Sequence, residues 1–281
     1  MKIHTTINSL RAESRAARVA GKRIGFVPTM GALHDGHLSL IRAAKSRCDL
    51  VVASIFVNPT QFGPNEDLAK YPRTFERDCQ LLEKENADLL FAPTVEEMYP
   101  QDAVTWVTVE GLSEKLDGKS RPGHFRGVTT VVAKLFHIVD PDIAFFGQKD
   151  AAQVAIIRRM VRDMKFPVEI VACPIVREPD GLAMSSRNAY LDSSQRKAAL
   201  VLSRALWEVE RKYKSGERDT NTLIERGKQL IAKEPAARLD YLELVNADTL
   251  DPVAQATPGT MVAVAAYVGN TRLIDNQLLE P

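Results

Sequence analysis

The sequence predicts an α/β fold: a doubly wound, Rossmann-like parallel sheet followed by a second, smaller α+β domain. Two observations support this prediction. Between residues 23 and 177, short runs rich in Val, Ile and Phe alternate with segments of helical periodicity, which is typical of βαβ units. From about residue 189 the pattern changes to charged amphipathic helices followed by strands. The chain has 281 residues, 45% of them hydrophobic, which is ample for a buried core.

The elements of the first part follow one another in a regular order. "RIGFVP" and "DLVVASIFVNP" are predicted strands, and "HLSLIRAAKSR" between them has apolar residues close to helical spacing. The remaining segments are a helix "RTFERDCQLLEKEN", a strand "ADLLFAP", a β-rich "AVTWVTVEG", a loop "DGKSRPGHFRG", a helix "VTTVVAKLFHIV", a strand "DIAFFG", a helix "AAQVAIIRRMVRDM" and a strand "VEIVACPIV".

The second part predicts a compact C-terminal domain. Its helices are "SSQRKAALVLSRALWEVERKYKSG" and "TNTLIERGKQLIAKE", its strands are "LDYLELVNA" and "GTMVAVAAYVG", and "GNTRLIDN" closes the chain. We therefore expect a first domain over residues 1–177, a connecting segment over 178–187 and a second domain over 188–281.

Composition excludes several function classes. There are 37 Lys and Arg against 36 Asp and Glu, a net charge of +1, whereas nucleic-acid or membrane binders are normally markedly basic. The N-terminus lacks an apolar core of signal-peptide length, and the longest apolar run, "MVAVAAYV", is too short to span a bilayer. The three cysteines are far apart, which disfavours a disulfide framework or a zinc site. Cytoplasmic residence is the default expectation.

Polar residues follow three of the predicted strands. His34 and His37 come after the first, Asn58 and Gln61 after the second, and "QKD" at 148–150 after the fifth. Because ligands of doubly wound sheets bind beyond the carboxyl ends of the strands, these three segments are expected to converge on one rim.

His34 and His37 suggest a site for an anion. Strand, glycine-containing loop and helix is a layout in which unpaired N–H groups and the helix dipole favour negative charge. Both imidazoles can donate hydrogen bonds to phosphate, and either can be protonated near neutral pH. Gly31 is expected to turn the chain off the strand, and Gly36 to let a ligand come close. Two surface histidines, or a metal pair lacking an obvious third ligand, are the alternatives.

Four segments together resemble one family. "PTMGALHDGH" is similar to the His-x-Gly-His signature of the nucleotidyltransferase superfamily, which includes the class I aminoacyl-tRNA synthetases. Its extended form "FVPTMGALHDGHLSLIRAA", together with "SIFVNPTQFGPNEDLAKYPRT", "FFGQKD" and "VREPDGLAMSSRNAYL", resembles the pantothenate synthetase (pantoate–β-alanine ligase) family over nearly the whole chain.

The resemblance implies a reaction, its partners and its cofactors. ATP and pantoate give pantoyl-adenylate and pyrophosphate with Mg²⁺, and β-alanine then attacks the acyl group to release pantothenate and AMP. The resemblance further implies a homodimer, with neither nucleic acid nor membrane as a partner.

Carried over position by position, the resemblance assigns four catalytic residues: His34, His37, Lys149 and Arg187. Of the two histidines, His37 is the better candidate for stabilising charge during attack on the α-phosphate. The implied ATP contacts are Pro28, Thr29, Met30, Gly31, Ala32, Leu33, His34, Asp35, Gly36, His37, Gly147, Gln148, Lys149, Asp150, Val176, Met184, Ser185, Ser186 and Arg187.

Pantoate and the metal are assigned to other positions. The resemblance makes Gln61 and Gln153 pantoate ligands, with Asn58 beside them, because an amide can both donate and accept. A loop amide bonding its own backbone is the alternative for Gln61. Asp78 is the implied Mg²⁺ contact, and an exposed helical aspartate is the alternative. The loop at 117–127 is either a lid over the phosphates or a solvated turn, and nothing in the sequence gives its His124 a catalytic role.

Three rival functions remain at this level. Another nucleotidyltransferase, such as a pantetheine-phosphate or nicotinate-nucleotide adenylyltransferase, would share the first motif, but "NPTQFG" and "MSSRN" favour the ligase. A tRNA-binding synthetase-like module is disfavoured by the near-neutral charge. An inactive nucleotide sensor is disfavoured because all the expected polar residues are present.

Overall fold

A computed structural model describes residues 1–64 and 66–281 of the chain. Within these residues there are two sheets, one of six parallel strands in the order β1-β4-β3-β2-β5-β6 and one of three antiparallel strands in the order β7-β8-β9. The strands are β1 Lys2–His4, β2 Ile24–Thr29, β3 Leu50–Ile55, β4 Leu89–Phe91, β5 Ile143–Gly147, β6 Glu169–Cys173, β7 Ala237–Asn246, β8 Thr260–Val268 and β9 Thr271–Leu278. The predicted fold class is confirmed.

Helices cover both faces of the larger sheet and one side of the smaller one. No helix in the described part of the chain is long and apolar enough to cross a bilayer. The helices are α1 Ile7–Val19, α2 Asp35–Lys45, α3 Phe75–Lys84, α4 Val95–Met98, α5 Asp117–Ser120, α6 His124–Val139, α7 Ala151–Met164, α8 Ser193–Ala199, α9 Val201–Lys214 and α10 Thr220–Ile231.

The central strands are apolar runs because helices bury them from both sides. Neighbouring residues of one strand enter different cores: Phe145 of β5 packs in the core with α2 and α3, and Phe146 packs in the core with α1, α6 and α7. This alternation follows from the two-residue repeat of a strand. The doubly wound arrangement is therefore visible in the packing as well as in the strand order.

The strand order reverses direction between β2 and β5. From β2 the chain winds through β3 to β4 on one side, whereas β5 and β6 extend the sheet on the other side. The loops that leave adjacent strands at such a switch point diverge and open a crevice. Here these loops carry His34 and His37 after β2 and Lys149 after β5.

The smaller sheet has its own core. The buried face of β8 packs with residues of α9 and α10, including Leu206, Val209 and Leu223. The last strand, β9, pairs with β8 along its whole length from Thr271 to Leu278. This sheet lies beside the turn that follows β5, so the closing segment of the chain reaches the crevice.

Four features differ from the prediction. The β-rich segment 103–109 forms no strand; it is held to α6 instead, through Val107 N–H to Thr130 Oγ1 at 3.0 Å and Thr129 Oγ1 to Val107 C=O at 2.6 Å. The predicted loop 117–127 contains α5 and the first turn of α6. The predicted helix at 193–216 is divided into α8 and α9 at Leu200. β1 and α1 were not predicted. A three-residue edge strand has no measurable periodicity, and α1 buries only Leu10, Ser14 and Ala17, which gives a weak apolar pattern.

Candidate active site

A cavity of about 230 Å³ lies at the carboxyl ends of β2, β3 and β5. It shares lining residues with a larger cleft of about 980 Å³ between the two sheets. Polar groups from four separate segments line one part of the cavity, and apolar residues, mostly of α6, line the other. The apolar residues are Leu40, Phe56, Val128, Val131, Val132, Leu135 and Phe146.

His34 and His37 form a capping box at the start of α2. His34 is the N-cap, and its Nδ1 accepts a hydrogen bond from the backbone N–H of Gly36 at 3.2 Å. The Nδ1 of His37 accepts from the backbone N–H of His34 at 3.3 Å. The three-residue spacing therefore satisfies helix-end N–H groups, as Ser and Glu do in other capping boxes. The two ring centroids are 4.1 Å apart, and both rings line the cavity.

This geometry fixes the hydrogen-bonding state of both rings. In each ring Nδ1 acts as an acceptor, so a neutral ring carries its proton on Nε2. Burial lowers the pKa of His34 to about 4, assisted by Lys149. Burial lowers the pKa of His37 to about 3, assisted by His34. The expectation that either ring is protonated near neutral pH is therefore corrected: both are neutral donors through Nε2–H.

Gly36 has a structural role that the sequence did not indicate. A Cβ at this position would lie 2.9 Å from Cε1 of His34, so the missing side chain makes room for the His34 ring, and Gly36 also lines the cavity. Gly31 agrees with the prediction, since its φ of +82° turns the chain sharply after β2.

The pKa values of the buried histidines predict a pH-dependent stability. Burial also lowers the pKa of His124 to about 4, helped by Arg121. Between pH 6.5 and about 4 the unfolded chain binds protons at His34, His37 and His124 that the folded chain does not bind. The free energy of unfolding should therefore fall as the pH is lowered through this window.

Chemical denaturation between about pH 7 and about pH 4.5 measures this effect. His37→Asn should reduce the slope of unfolding free energy against pH by about one proton. The matched control is the same change at His137, an exposed residue on α6. An unchanged slope in His37→Asn would show that this ring is already protonated in the folded protein.

Asp78, in α3, holds the loop that follows β2 through hydrogen bonds. Its carboxylate is fully buried and accepts hydrogen bonds from the backbone N–H groups of Ala32 at 2.8 Å and Leu33 at 2.9 Å, and from the Thr74 hydroxyl at 3.0 Å. These three bonds use most of the acceptor positions of the carboxylate. In this structure Asp78 shapes the loop that presents the histidines.

Asn58 orients Gln61 from beneath. The Nδ2 of Asn58 donates to Oε1 of Gln61 at 3.2 Å and to the carbonyl of Gly127 at 3.1 Å, and Oδ1 accepts from the hydroxyl of Thr60 at 2.9 Å. Asn58 is buried, and its amide is used by protein groups. The alternative raised for Gln61 was a bond to its own backbone, and its Oε1 accepts from Asn58 instead. Among the described residues, the Nε2 of Gln61 donates to the weak acceptor Sδ of Met30 at 3.0 Å and to no other group, which leaves donor capacity for a ligand.

The segment after β5 contributes Lys149 and Gln153. The Lys149 ammonium lies 3.4 Å from the Asp150 carboxylate, and both residues line the cavity. Gln153, in the first turn of α7, forms no side-chain hydrogen bond with any described residue. Gln148 points elsewhere, with its Nε2 donating to Oδ1 of Asn276 at 3.3 Å.

The connecting segment adds hydroxyls and a guanidinium. Ser186 Oγ donates to the carbonyl of Ala32 at 3.0 Å, which ties this segment to the loop after β2. Arg187 makes a two-pronged pair with Asp67, with both N–O distances at 2.9 Å. The Val176 carbonyl accepts from the backbone N–H of Met184 at 3.0 Å, and both residues line the cavity.

Three residues that line the cavity were given no role in the site by the sequence analysis: Arg121, His124 and Tyr71. Arg121 pairs with Glu66, and its Nη1 lies 3.1 Å from Nε2 of His124. The Nδ1 of His124 lies 2.8 Å from the carbonyl of Gln61, so the segment expected to be a lid or a solvated turn instead supports Gln61. Tyr71 also lines the cavity, beneath the Arg187 guanidinium. In the sequence, the contribution of segment 117–127 to the site was indicated only by its basic residues Lys119, Arg121 and Arg126.

The structure brings most of the expected residues to one place. Six expected residues do not line the cavity: Gly31, Ala32, Leu33, Asp35, Gln148 and Asp78. The first three form the loop after β2, which Asp78 of α3 holds through two backbone bonds. Asp35 pairs with Arg42 on the surface, and Gln148 bonds Asn276. The expected residues that line it are Pro28, Thr29, Met30, His34, Gly36, His37, Asn58, Gln61, Gly147, Lys149, Asp150, Gln153, Val176, Met184, Ser185, Ser186 and Arg187.

A doubly wound sheet with imidazole, ammonium and guanidinium groups around a crevice at its switch point defines a nucleotide-using α/β enzyme. Comparison with known proteins makes the assignment specific. The family model described as pantoate-beta-alanine ligase matches residues 2–278. The chain therefore belongs to the pantoate–β-alanine ligase family.

Individual relatives agree with the family model. The chain is 61% identical over 280 residues to a pantothenate synthetase of Koribacter versatilis, covering 100% of this chain and 96% of the relative. It is 66% identical over 258 residues to that of Acidobacterium capsulatum, covering 92% and 86%.

Two solved structures show the same fold over the whole chain. The pantothenate synthetase of Thermus thermophilus superposes with a TM-score of 0.95 at 47% identity, covering 100% of both chains. The pantoate-beta-alanine ligase of Francisella tularensis, complexed with beta-gamma ATP and beta-alanine, superposes with a TM-score of 0.83 at 36% identity, covering 100% and 98%.

Proposed function

We propose that this enzyme condenses pantoate with β-alanine at the expense of ATP, through a pantoyl-adenylate, releasing pyrophosphate and AMP. One observation carries the proposal: two Nε2–H imidazoles, Lys149 and Arg187 border the same cavity as the amides of Gln61 and Gln153. Anion-binding groups and neutral amides thus meet at one point, as a reaction between a triphosphate and a hydroxy acid requires. The complex of the Francisella relative with ATP and β-alanine supports the same substrates.

In the first step a pantoate carboxylate oxygen attacks the α-phosphorus of ATP. The new bond is the acyl C–O–P link, and the bond between the α-phosphorus and the oxygen bridging to the β-phosphate breaks, so that pyrophosphate leaves. The carboxylate is already a nucleophile, and the contribution of the protein is to position the reactants and stabilise charge. The Nε2–H groups of His34 and His37 donate to phosphate oxygens, and Lys149 and Arg187 offset the charge that develops on the leaving group.

In the second step the neutral amine of β-alanine attacks the acyl carbon. A C–N bond forms, the C–O bond to phosphate breaks, AMP leaves, and the nitrogen loses a proton to solvent or to AMP. Gln61 and Gln153 hold the pantoyl group throughout, because an amide can serve both its hydroxyls and its carbonyl. Arg187 exchanges part of its contact with Asp67 for phosphate oxygens during the cycle.

We propose that Mg²⁺ accompanies ATP. Such an ion supplies positive charge to the phosphates and is held mainly by phosphate oxygens and water, with one or two carboxylates at most. The described residues fit this mode, since they hold no group of three or more His, Cys, Asp or Glu arranged as a metal cage. Asp150 borders the cavity and Asp78 does not, so Asp150 is the better placed of the two carboxylates.

Pyrophosphate release tests the proposed reaction. With ATP and pantoate alone, a single burst of pyrophosphate is expected, followed by continuous turnover and AMP formation once β-alanine is added. An adenylyltransferase would retain AMP in its product and would not respond to β-alanine. Failure of pantoate to elicit pyrophosphate would contradict the proposal.

Replacing Gln61 by alanine should weaken pantoate binding more than ATP binding. Its amide is oriented by Asn58 into the cavity, and the His124 contact is to the Gln61 backbone, so the loop should survive the change. We expect the KM for pantoate to rise about tenfold or more, the loss typical of unpairing a polar substrate group, and the KM for ATP to stay within about twofold. Gln229→Ala on the exposed face of α10 is the control. Equal loss for both substrates would assign Gln61 a structural role.

We also propose a homodimer, a cytoplasmic location and the domain boundaries 1–177 and 188–281. The extended segment 103–109 exposes Val104 (84%) and Trp106 (44%), an apolar surface suited to contact with a second copy of the chain. Sedimentation equilibrium measures the mass of the particle in solution and tests the dimer.

The three free cysteines suit a reducing compartment such as the cytoplasm. The core formed by one face of the small sheet with α9 and α10 supports the boundaries, and the other face, through Val245, Met261 and Ala263, packs in the core of the large sheet.

A further inference from the structure

Asn276, in the closing strand β9, reaches from the small sheet to the segment that carries Lys149. Its Nδ2 donates to the carbonyl of Gln148 at 2.9 Å and to the carbonyl of Lys149 at 3.0 Å. Its Oδ1 accepts from Nε2 of Gln148 at 3.3 Å. Asn276 is only 3% exposed, so one side-chain amide is completely used by the turn between β5 and α7.

These bonds act on a turn that has few other restraints. Gln148–Asp150 is a single 3₁₀ turn with no side-chain cap, and within residues 1–64 and 66–281 the Lys149 ammonium forms an ion pair with Asp150 alone. The two carbonyls lie in a partly buried turn, and because both Nδ2 bonds form in one arrangement of their backbone, they favour that conformation of the turn. That conformation directs Lys149 into the cavity.

The rest of β9 shows that the strand is anchored against the first domain. Arg272 pairs with Asp117 of α5 at 2.7 Å, and Asp275 pairs with Arg177 at 2.6 Å. Arg177 in turn donates to the carbonyl of Gly181 at 3.2 Å, within the loop that leads to Ser185 and Arg187. The amide of Asn276 is therefore presented by a strand whose preceding residues, Arg272 and Asp275, are anchored by ion pairs.

We propose that Asn276 is a positioning residue for the nucleotide reaction, acting through the main chain of Gln148 and Lys149. The small sheet then contributes directly to the active site, without touching substrate. This inference depends on the role proposed above for Lys149. A residue that serves stability alone would lower the unfolding midpoint without being energetically coupled to the Lys149 side chain.

The test is a double-mutant cycle with Lys149→Ala, Asn276→Ala and the combination, measured as kcat/KM for ATP in the pyrophosphate-forming reaction. We expect Asn276→Ala to lose about tenfold, with most of the loss absent when Lys149 is already alanine, because the two residues act as one unit. Asn276→Leu keeps the approximate shape and removes both donors without burying a charge, so a similar loss is expected. It also serves as the test variant should the alanine variant not fold.

Asn246→Ala provides the matched control. Asn246 lies in β7 of the same sheet and also makes two backbone bonds, accepting from the N–H groups of Asp248 at 2.9 Å and Thr249 at 3.0 Å, far from the cavity. It should keep kcat/KM within about twofold of wild type.

Each result of the cycle either supports or contradicts the positioning role of Asn276. If both Asn276 variants keep kcat/KM within about twofold, or if their losses add fully to that of Lys149→Ala, the inference is wrong. If Lys149→Ala itself is unimpaired, the role proposed for Lys149 fails first. An impaired Lys149→Ala together with a normal Asn276→Ala removes the positioning role and leaves the proposed function intact.

Discussion

Replacing His37 with alanine is expected to lower turnover at least tenfold while the protein stays folded. A tenfold loss corresponds to about 1.4 kcal/mol of transition-state stabilisation, which is a minimum, because a lost donor to a developing oxyanion typically costs about 2.7–4 kcal/mol. The structure makes the reason specific: His37 is neutral, its Nδ1 is bound to the backbone N–H of His34, and only Nε2–H is left for phosphate.

The two functions of the His37 ring can be separated by substitution. Asparagine offers an acceptor near the position of Nδ1 and keeps the capping bond, whereas glutamine offers a donor near the position of Nε2. His37→Gln should therefore retain more turnover than His37→Asn, and His137→Ala on the surface should retain all of it. Wild-type turnover in His37→Ala, or a better Asn than Gln variant, would remove phosphate donation from the role of His37.

Replacing Lys149 with methionine is expected to lower kcat/KM for ATP by about a hundredfold, because it removes the ammonium nearest the imidazoles from a partly dehydrated cavity. Methionine keeps the apolar stem, so packing changes little. Lys45→Met is the matched control: Lys45 is a partly buried lysine in a 3.0 Å ion pair with Asp88, at the other end of α2.

Measuring the two half-reactions separately sharpens the Lys149 experiment. The loss should fall mainly on the step that releases pyrophosphate, whereas the reaction of β-alanine with preformed pantoyl-adenylate should be less affected. A loss confined to the β-alanine step would show that Lys149 does not act on the phosphates of ATP, which would contradict the proposed role. A loss equal to that of Lys45→Met would show a general effect of removing charge.

The sequence predicted the main strands well because burial on both faces leaves a direct trace. "IGFVPT" and "LVVASI" are continuous apolar runs, and each forms a central strand. "AVTWVTVEG" has the same residue types but forms no strand, because a strand also requires a partner and the Thr129 and Thr130 hydroxyls bind this segment instead. Composition alone does not encode that choice.

Side-chain roles were predictable where they depend on local spacing. The spacing of His34 and His37 indicated one shared surface, and the structure shows their rings side by side. Their neutrality was not predictable, since it results from burial by residues distant in sequence. Asp78 similarly looks like an ordinary helical carboxylate until the loop after β2 is folded over it.

Residues that support the site from distant positions in the chain could not be predicted from the sequence. Asn276 follows Lys149 by more than a hundred residues, and an amide in a C-terminal strand has no pattern that assigns it to a nucleotide site. The same is true of His124, whose contact with the Gln61 carbonyl depends on how α6 packs against the turn after β3. Such residues are found only once the tertiary structure is known.

A crystal structure with a non-hydrolysable ATP analogue and pantoate tests the central claim most directly. We expect the triphosphate to lie across the carboxyl ends of β2 and β5, with phosphate oxygens within hydrogen-bond distance of Nε2 of His34 and His37 and of Nζ of Lys149. Pantoate should lie against Gln61 and Gln153. A nucleotide bound elsewhere, with both imidazoles facing solvent, would contradict the account.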